Sequence, residues 1–199
     1  MNLEEMLKEE KFNFISEENK IFILEFTKQI KSLNYDFDGN IGSGFERGNY
    51  QIIYSLNGIK GSRSVSCRIF LRDDGVFVSF GKEIKFNKSI VLRLYFSNIN
   101  KHINYIENAP INIKELFINN SGLCKYCTEH CYKRKAYNLN GIEMVKCADA
   151  FEIINPKAKE INDYVGILSE FYGKKGSKKK IKNNSSKKPA PNRSVSVRR

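Results

Sequence analysis

Residues 62–72, SRSVSCRIFLR, alternate apolar and polar side chains over most of their length. The apolar face comprises Val65, Cys67, Ile69 and Leu71, and the opposite face comprises Ser64, Ser66, Arg68, Phe70 and Arg72. A period of two residues predicts a strand with one buried face. Cys67 is therefore expected to be a small core residue and not a ligand.

Shorter stretches of strand-like composition lie on both sides of this strand. They are residues 49–56, 76–80, 84–86 and 90–96. Short strands joined by short turns predict a meandering antiparallel sheet, which residues 76–86 are expected to continue. The glycine-bearing segment 36–48 is predicted to be a loop. It lacks the Gly-Lys-Ser/Thr ending of a phosphate-binding loop and leads into a strand instead of a helix.

Helical patterns precede and follow the predicted sheet. Ser16 is a suitable N-cap for a helix extending to about Leu33, because Glu17 and Glu18 place acids in its first turn. Further helices are expected over residues 2–11, 98–108, 110–117 and 156–172, and a strand over 151–154. His102 has no partner at a recognisable spacing and is expected at the surface. The chain is thus predicted to be α+β, with helices flanking the sheet in one domain over residues 1–173.

Four of the five cysteines lie within residues 124–147, CKYCTEHCYKRKAYNLNGIEMVKC. Their spacing is Cys124-x2-Cys127-x3-Cys131-x15-Cys147. A C-x2-C pair directs two thiolates at one ion, and tetrahedral zinc needs four N or S ligands at roughly 2.0–2.3 Å. Since these four cysteines complete the set without an open position, the spacing predicts one closed, structural zinc site.

A β-hairpin is predicted inside the same stretch. Asn140-Gly141 separates two strand-like runs, and this dipeptide favours a two-residue turn in which both residues have positive φ. Leu139 then faces Ile142, and the same register places Arg134 opposite Cys147. Cys131 lies three residues beyond the paired end, so the four sulfurs are expected to converge at the hairpin base.

Two other uses of the cysteines stay open: an iron–sulfur cluster, and unligated thiols or disulfides. The x2-then-x3 order is the reverse of the C-x3-C-x2-C found in reductive SAM-cleaving enzymes. No strand of a thioredoxin-like unit precedes Cys124, which argues against a redox C-x-x-C site. His130 can replace a cysteine as ligand but is more simply a neighbour of Cys131.

The positive charge is concentrated at the C-terminal end. The net charge is +12, while residues 174–199 contain eleven Lys or Arg and no Asp or Glu, which leaves +1 for residues 1–173. Such a composition predicts a disordered basic tail that attracts polyanions without reading sequence. Nucleic acid is the expected partner, and a tail that only aids solubility is the alternative. The basic residues predicted to contact nucleic acid are Lys125, Lys133, Arg134, Lys135, Lys178, Lys179 and Lys180.

No run of about 18 apolar residues is present, so no membrane span is expected. The first residues, MNLEEMLKEEK, lack the apolar segment of a secretory signal. A cytoplasmic location is therefore predicted, where thiols stay reduced and clustered cysteines bind metal more often than they form disulfides.

Arginine and aromatic side chains alternate with the aliphatic residues of the strands. Together they suggest a surface on which nucleic-acid bases stack. The alternative is a second sheet face covered by helices and solvent, which is favoured because aromatic residues on sheets usually pack. The residues concerned are Arg68, Arg72, Arg93, Tyr50, Tyr54, Phe70 and Tyr95.

Three motifs, together with the cysteine cluster, resemble a group of bacterial proteins of uncharacterised function. They are Gly44-Phe45-x2-Gly48-x-Tyr50-x-Ile52-Ile53-Tyr54, then Leu92-Arg93-Leu94-Tyr95-Phe96-x2-Ile99-x2-His102-x2-Tyr105-Ile106-Glu107-x2-Pro110, and Ser169-Glu170-Phe171-Tyr172. The resemblance covers about residues 16–172. It implies a cytosolic α+β domain and transfers no catalytic or binding residue.

Three functional hypotheses follow from the sequence. The first is a non-catalytic protein with a structural zinc site and a basic tail that binds nucleic acid non-specifically. The second is a small-molecule-binding or protein-interaction domain that uses the aromatic sheet face. The third, an enzyme, has the least support, because no Ser/His/Asp set, paired carboxylates or nucleotide loop is recognisable.

Overall fold

The fold was analysed in a computed structural model of the chain. It describes residues 2–44, 47–60, 64–79, 82–95, 102–120, 128–132, 134–139, 141–147 and 150–173. The predicted tail, residues 174–199, lies outside these ranges. Among the described helices, none combines the length and the apolar character needed to cross a bilayer.

The described chain contains five α-helices and nine strands, with short 3-10 turns at Glu10–Phe12, Lys31–Leu33 and Ala158–Glu160. The helices are α1 (Leu3–Leu7), α2 (Glu17–Ile30), α3 (Ile103–Asn108), α4 (Ile111–Asn120) and α5 (Ile161–Leu168), which continues in a π-helical turn over Ser169–Gly173. The strands are β1 (Tyr35–Ser43), β2 (Tyr50–Leu56), β3 (Val65–Arg72), β4 (Gly75–Ser79), β5 (Lys82–Phe86), β6 (Ser89–Tyr95), β7 (Arg134–Leu139), β8 (Ile142–Cys147) and β9 (Ala150–Ile154).

Five strands form one antiparallel sheet in the order β1-β2-β3-β6-β9. The predicted alternation of β3 is confirmed, since Cys67, Ile69 and Leu71 are all buried in the core. Strand β6 contributes Ile90, Leu92 and Leu94 to the same face. The α+β class with an antiparallel sheet and flanking helices is thus confirmed.

Helix α2 covers this core face. Ser16 caps it as predicted, because its Oγ accepts a hydrogen bond from the backbone N–H of Asn19 at 3.3 Å. The predicted apolar face is buried as well; it consists of Phe22, Ile23, Phe26 and Ile30. The helix is therefore fixed by a cap at its start and by side-chain packing along its length.

The prediction of a loop over residues 36–48 is wrong for its first half. Tyr35–Ser43 is strand β1, which pairs with β2 on both sides of an irregularity between Phe37 and Ile41. Gly39 lies in this irregularity with φ of +86°, a conformation that side chains other than glycine rarely adopt. The turn-forming residues thus create a β-bulge inside a strand and do not end it.

Residues 75–86 do not continue the central sheet as predicted. Within the described ranges, strands β4 and β5 pair only with each other in a separate two-stranded sheet, while β3 pairs directly with β6. The burial of β3 and β6 explains this strand order, because both strands carry buried apolar residues on both faces of the sheet. Phe70 of β3 and Val91 of β6 are buried on the face opposite the core residues.

Strands β7 and β8 form the hairpin predicted around Asn140-Gly141. Leu139 pairs with Ile142, and Arg134 pairs with Cys147, so the predicted register is confirmed. Gly141 has φ of +80°, and its N–H donates to Asn138 Oδ1 at 2.9 Å. Metal binding by this hairpin remains a prediction.

Candidate metal hairpin and arginine-lined sheet face

The hairpin brings two of the predicted metal ligands to its open end. Arg134 pairs with Cys147, and the Arg134 N–H donates to the Cys131 carbonyl at 2.9 Å. A turn precedes this point, since the Cys131 N–H donates to the Thr128 carbonyl at 3.1 Å. The backbones of Cys131 and Cys147 therefore lie close together at the start of β7 and the end of β8.

One face of this hairpin lies in solvent. The exposed side chains are Ala136, Asn138, Glu143 and Val145, and Val145 is 38% exposed. The register places these four residues on the same face as Arg134, which is half-buried. Apolar burial on this face therefore contributes little to holding the two strands together.

Several predicted site residues lie outside the part of the chain that the structure describes: Cys124, Cys127, Lys125, Lys133, Lys178, Lys179 and Lys180. The side chains of Lys135 and Cys147 are not described either, although their backbones belong to the hairpin. Among the side chains that are described, no three His, Cys, Asp or Glu residues form a group that could hold a metal ion. Cys131 is half-buried and is the one predicted ligand with a described thiol, and His130 beside it is exposed.

Cys67 is a core residue, as predicted. Its side chain is buried between the sheet and the helices, and burial raises the pKa of its thiol well above the ordinary range. The Ser66 hydroxyl approaches its sulfur at 3.6 Å and opposes that shift. A buried thiol kept protonated in this way is a poor metal ligand.

The outer face of the central sheet, opposite helix α2, carries a cluster of arginines. Arg68 of β3 pairs directly with Arg93 of β6, which pairs with Glu152 of β9. The Glu152 carboxylate accepts from the guanidinium of Arg93 and, at 2.6 Å, from that of Arg47. Arg68 instead donates to the neutral Gln51 side chain at 2.9 Å.

Residues 47–49, which precede β2, lie against this outer face and place Arg47 on it. Gly48 packs so tightly that a Cβ there would lie 2.8 Å from the Leu71 carbonyl oxygen. The Asn49 N–H donates to that carbonyl at 2.9 Å, and Arg72 Nε donates to the Arg47 carbonyl at 2.6 Å. Glycine at position 48 thus allows the close approach that places Arg47 over the sheet.

Aromatic rings on the outer face of the sheet contact arginines. These contacts concern the predicted surface on which nucleic-acid bases would stack. The guanidinium carbons of Arg68 and Arg93 lie 5.7 and 5.3 Å from the centre of the Tyr95 ring, and that of Arg72 lies 4.9 Å from the Phe86 ring. These are distances at which a cation is attracted to a ring.

The base-stacking alternative is wrong for Tyr50 and Tyr54, because both lie on the core face. Tyr50 packs edge-on against Phe12 at 5.0 Å, and Tyr54 packs edge-on against Phe26 at 5.4 Å. Of the four aromatic residues in that prediction, Phe70 and Tyr95 remain on the outer face with the arginines.

Three buried polar atoms in the described chain have no hydrogen-bond partner: Asp38 Oδ1, Arg68 Nε and Arg93 Nε. Two of them belong to the paired arginines of the outer face. Burial raises the pKa of Asp38, which the charges of Lys60 and Arg68 oppose. Buried polar groups are normally hydrogen-bonded, so the two Nε–H donors mark an unusual site.

His102 is partly exposed, and it has partners that the sequence does not predict. Its ring stacks on Phe171 with 4.0 Å between ring centres, and its Nδ1 lies 3.7 Å from a carboxylate oxygen of Glu170. The sequence hides this arrangement because Glu170 and Phe171 belong to the turn after α5, far along the chain. The contact places a histidine and a carboxylate together where α3 begins.

Comparisons with protein-family models, with curated proteins and with solved structures found no match to this chain.

Proposed function

We propose that the chain is a non-catalytic nucleic-acid-binding protein in which a structural zinc ion closes the base of the β7–β8 hairpin. Cys124, Cys127, Cys131 and Cys147 hold the ion in this proposal. The tail and the basic residues around the cysteines contact the phosphate backbone. The hairpin register, which brings Cys131 and Cys147 to one end, is the observation that carries the proposal.

The exposed face of the hairpin supports a metal at its base. A two-stranded hairpin is at best marginally stable in water, because its hydrogen bonds replace equally good bonds to solvent. Val145 and Ala136 bury too little surface on the described face to change this balance. Metal binding at the open end supplies folding free energy directly, since the site does not exist in the unfolded chain.

Four cysteine ligands make this a structural site. A tetrahedral zinc ion bound by four thiolates has no open position for water or substrate, so it does not act as a catalyst. The thiolates carry more negative charge than the ion, and nearby cations offset that excess. Arg134, Lys133 and Lys135 lie beside Cys131 in the sequence and supply such cations.

The distribution of charge supports nucleic acid as the partner. Residues 174–199 carry eleven positive charges and no acid. Each phosphate neutralised by a Lys or Arg releases a counterion, so affinity depends steeply on salt and little on base sequence. The basic residues beside the hairpin add contacts in the way that cations on small zinc modules meet phosphates.

The test compares the full chain with a chain ending at Gly173, using fluorescence anisotropy with a random-sequence oligonucleotide. For the full chain we expect the affinity to fall by about 10³-fold or more between 50 and 200 mM salt, as for a protein that neutralises six or more phosphates. We expect the shortened chain to bind far more weakly and with a shallower salt slope. A matched control replaces Lys178, Lys179 and Lys180 with glutamine and leaves the length unchanged.

Two results would overturn the nucleic-acid role. One is an affinity that is insensitive to salt, and the other is equal binding by the full and the shortened chain. The shortened chain must keep the thermal unfolding midpoint of the full chain for this comparison to be valid. Residues 174–199 follow the last described turn, Ser169–Gly173, so their removal leaves every described element in place.

A further inference from the structure

The outer face of the central sheet holds more positive than negative charge. Four arginines, Arg47, Arg68, Arg72 and Arg93, face two carboxylates: Glu152 contacts Arg47 and Arg93, and the charge of Arg68 acts on Asp38. Within the described chain, neither Arg68 nor Arg72 has a carboxylate within ion-pair distance. Arginines held together in this way repel one another unless an anion lies between them.

Arg68 and Arg93 carry like charges on adjacent strands. They lie directly opposite each other in the antiparallel pairing, an arrangement in which like charges destabilise a sheet. Each guanidinium also lies within cation–π distance of the Tyr95 ring. The side chain of Arg93 is only 13% exposed, which weakens the screening of this repulsion by water.

Within the described ranges, the guanidiniums of Arg68 and Arg93 lack the same hydrogen bond, the one donated by Nε. Arg68 Nε and Arg93 Nε are both buried and lack partners in the described chain, while one Nη of each is bonded to Gln51 or to Glu152. A guanidinium presents five N–H donors in a planar fork. An anion with several oxygens would satisfy both Nε–H donors once the two side chains turn toward it.

We propose that this arginine cluster binds a phosphate-class oxyanion, and that the side chains of Arg68 and Arg93 turn to present their buried Nε–H donors to it. A tetrahedral dianion offers enough oxygens for both forks, whereas a carboxylate has only two, and Glu152 already supplies one carboxylate. Arg47 closes the site from the β1–β2 loop, where Gly48 positions it. This site is separate from the hairpin and the tail, and it does not depend on the proposed nucleic-acid role.

The direct test observes the arginine side chains by NMR. A titration of the full-length protein with inorganic phosphate at constant ionic strength follows the Nε–Hε resonances. We expect two of them, assigned to Arg68 and Arg93 by single substitutions, to shift and saturate together. The backbone amide resonances of helix α2, which covers the opposite face of the sheet, serve as an internal control, and we expect them to stay unchanged.

Substitutions then separate charge from geometry. Arg68→Gln removes the charge and the Nε donor, and we expect phosphate affinity to fall by about ten-fold or more, as for a lost hydrogen bond to a charged group. Arg68→Lys keeps the charge but loses the planar fork, so its loss should be intermediate. Lys157→Gln, at an exposed position outside the cluster, removes one charge and should change the affinity less than two-fold.

Thermal unfolding gives an independent measurement. Phosphate should raise the unfolding midpoint of the parent protein and leave that of Arg68→Gln unchanged. Acetate at the same ionic strength should have no effect on the unfolding midpoint. A comparison of the midpoints in a nucleoside monophosphate and in inorganic phosphate shows whether the site prefers an esterified or a free phosphate. The proposal is overturned if the Nε–Hε resonances do not shift, or if Arg68→Lys and Arg68→Gln both bind phosphate as the parent does.

Discussion

The five-stranded sheet and the β7–β8 hairpin use the same antiparallel pairing, but they differ in what holds them. Ile69 lies in β3, the middle strand of the sheet, with 0% exposure inside the hydrophobic core. Val145 lies in the interior of β8 with 38% exposure. The strand hydrogen bonds are alike in both regions, so the difference lies in the burial of apolar surface.

This comparison shows why the two regions need different sources of stability. The burial of a side chain such as that of Ile69 contributes roughly 1.5–3 kcal/mol, and the core of the sheet contains many such residues. The described face of the hairpin gains little from burial. We propose that metal binding by its cysteines compensates for the small apolar burial on this face.

The largest expected effect comes from removing apolar volume in each region. Ile69→Ala should lower the free energy of unfolding by about 2–5 kcal/mol, because it leaves a cavity between the sheet and its helices. Val145→Ala, the matched change on the hairpin, should alter it by no more than about 0.5 kcal/mol. Urea unfolding midpoints measured at a constant m-value test both changes. Similar losses at the two positions would remove the distinction between the regions.

The next effect concerns the contact between helix α2 and the sheet, which has no counterpart on the described face of the hairpin. Thr27 Oγ1 donates to the Ile23 carbonyl at 2.6 Å and therefore accepts from the Tyr54 hydroxyl at 2.7 Å. Thr27→Val leaves that hydroxyl buried without its acceptor, so we expect a loss of about 1–3 kcal/mol.

Tyr54→Phe removes the same hydrogen bond from the other side and should cost less than Thr27→Val. Thr27 keeps its bond to Ile23, so no buried donor is left without an acceptor. Thermal or urea unfolding of the two variants, each compared with the parent, measures the difference. The reverse order of losses would contradict the hydrogen-bond directions given above.

A third expected effect is a loss of stability at alkaline pH, caused by the buried thiol of Cys67 and the buried hydroxyl of Tyr35. Burial raises the pKa of Cys67, and it raises that of Tyr35 to about 12. In the unfolded chain a thiol ionises near pH 8.5 and a tyrosine near pH 10, so the unfolded state loses protons first. Stability should therefore be intact below about pH 8.5 and fall above it, by up to about 1.4 kcal/mol per pH unit for Cys67.

The variant Cys67→Ala isolates the contribution of the buried thiol. Its stability at neutral pH should be lower because of the smaller side chain, but its alkaline decline should begin nearer pH 10, where tyrosines ionise. Unfolding midpoints measured across this pH range give the onset for both proteins. An unchanged onset would show that Cys67 does not titrate as a core group.

Local patterns in the sequence predict much of this fold. Ser16 and the acids after it mark the start of α2, and Asn140-Gly141 sets the register of the hairpin because a two-residue turn leaves one way to pair the strands. The alternation around Cys67 identifies the central strand and its core face. Each of these signals acts over a few residues, which is why the sequence alone reveals it.

The misplaced elements have physical reasons too. Asp36, Asp38, Gly39 and Asn40 are turn-forming residues, yet they lie in β1, because a bulge accommodates Gly39 while the strand continues. The same local reasoning wrongly predicts that Tyr54 lies on the outer face beside the arginines. Its partner across the sheet is Cys67, which fixes it on the core face.

The arginine cluster depends on contacts that sequence patterns do not carry. Glu152 meets Arg93 across 59 positions and Arg47 across 105 positions of the chain. The pairing of β6 with β9, which comes after two helices and a hairpin, creates both contacts. Charged residues at such separations become neighbours only through the topology of the sheet.

Native-state hydrogen exchange, with and without a zinc chelator, tests whether a metal ion stabilises the β7–β8 hairpin. We expect about one zinc ion per purified chain. Its removal, or the substitution Cys131→Ser, should abolish protection of the amides of β7 and β8 and leave β3 and β6 protected. The contradicting result is a protein without zinc whose hairpin amides are equally protected in the parent, in the chelated sample and in Cys131→Ser.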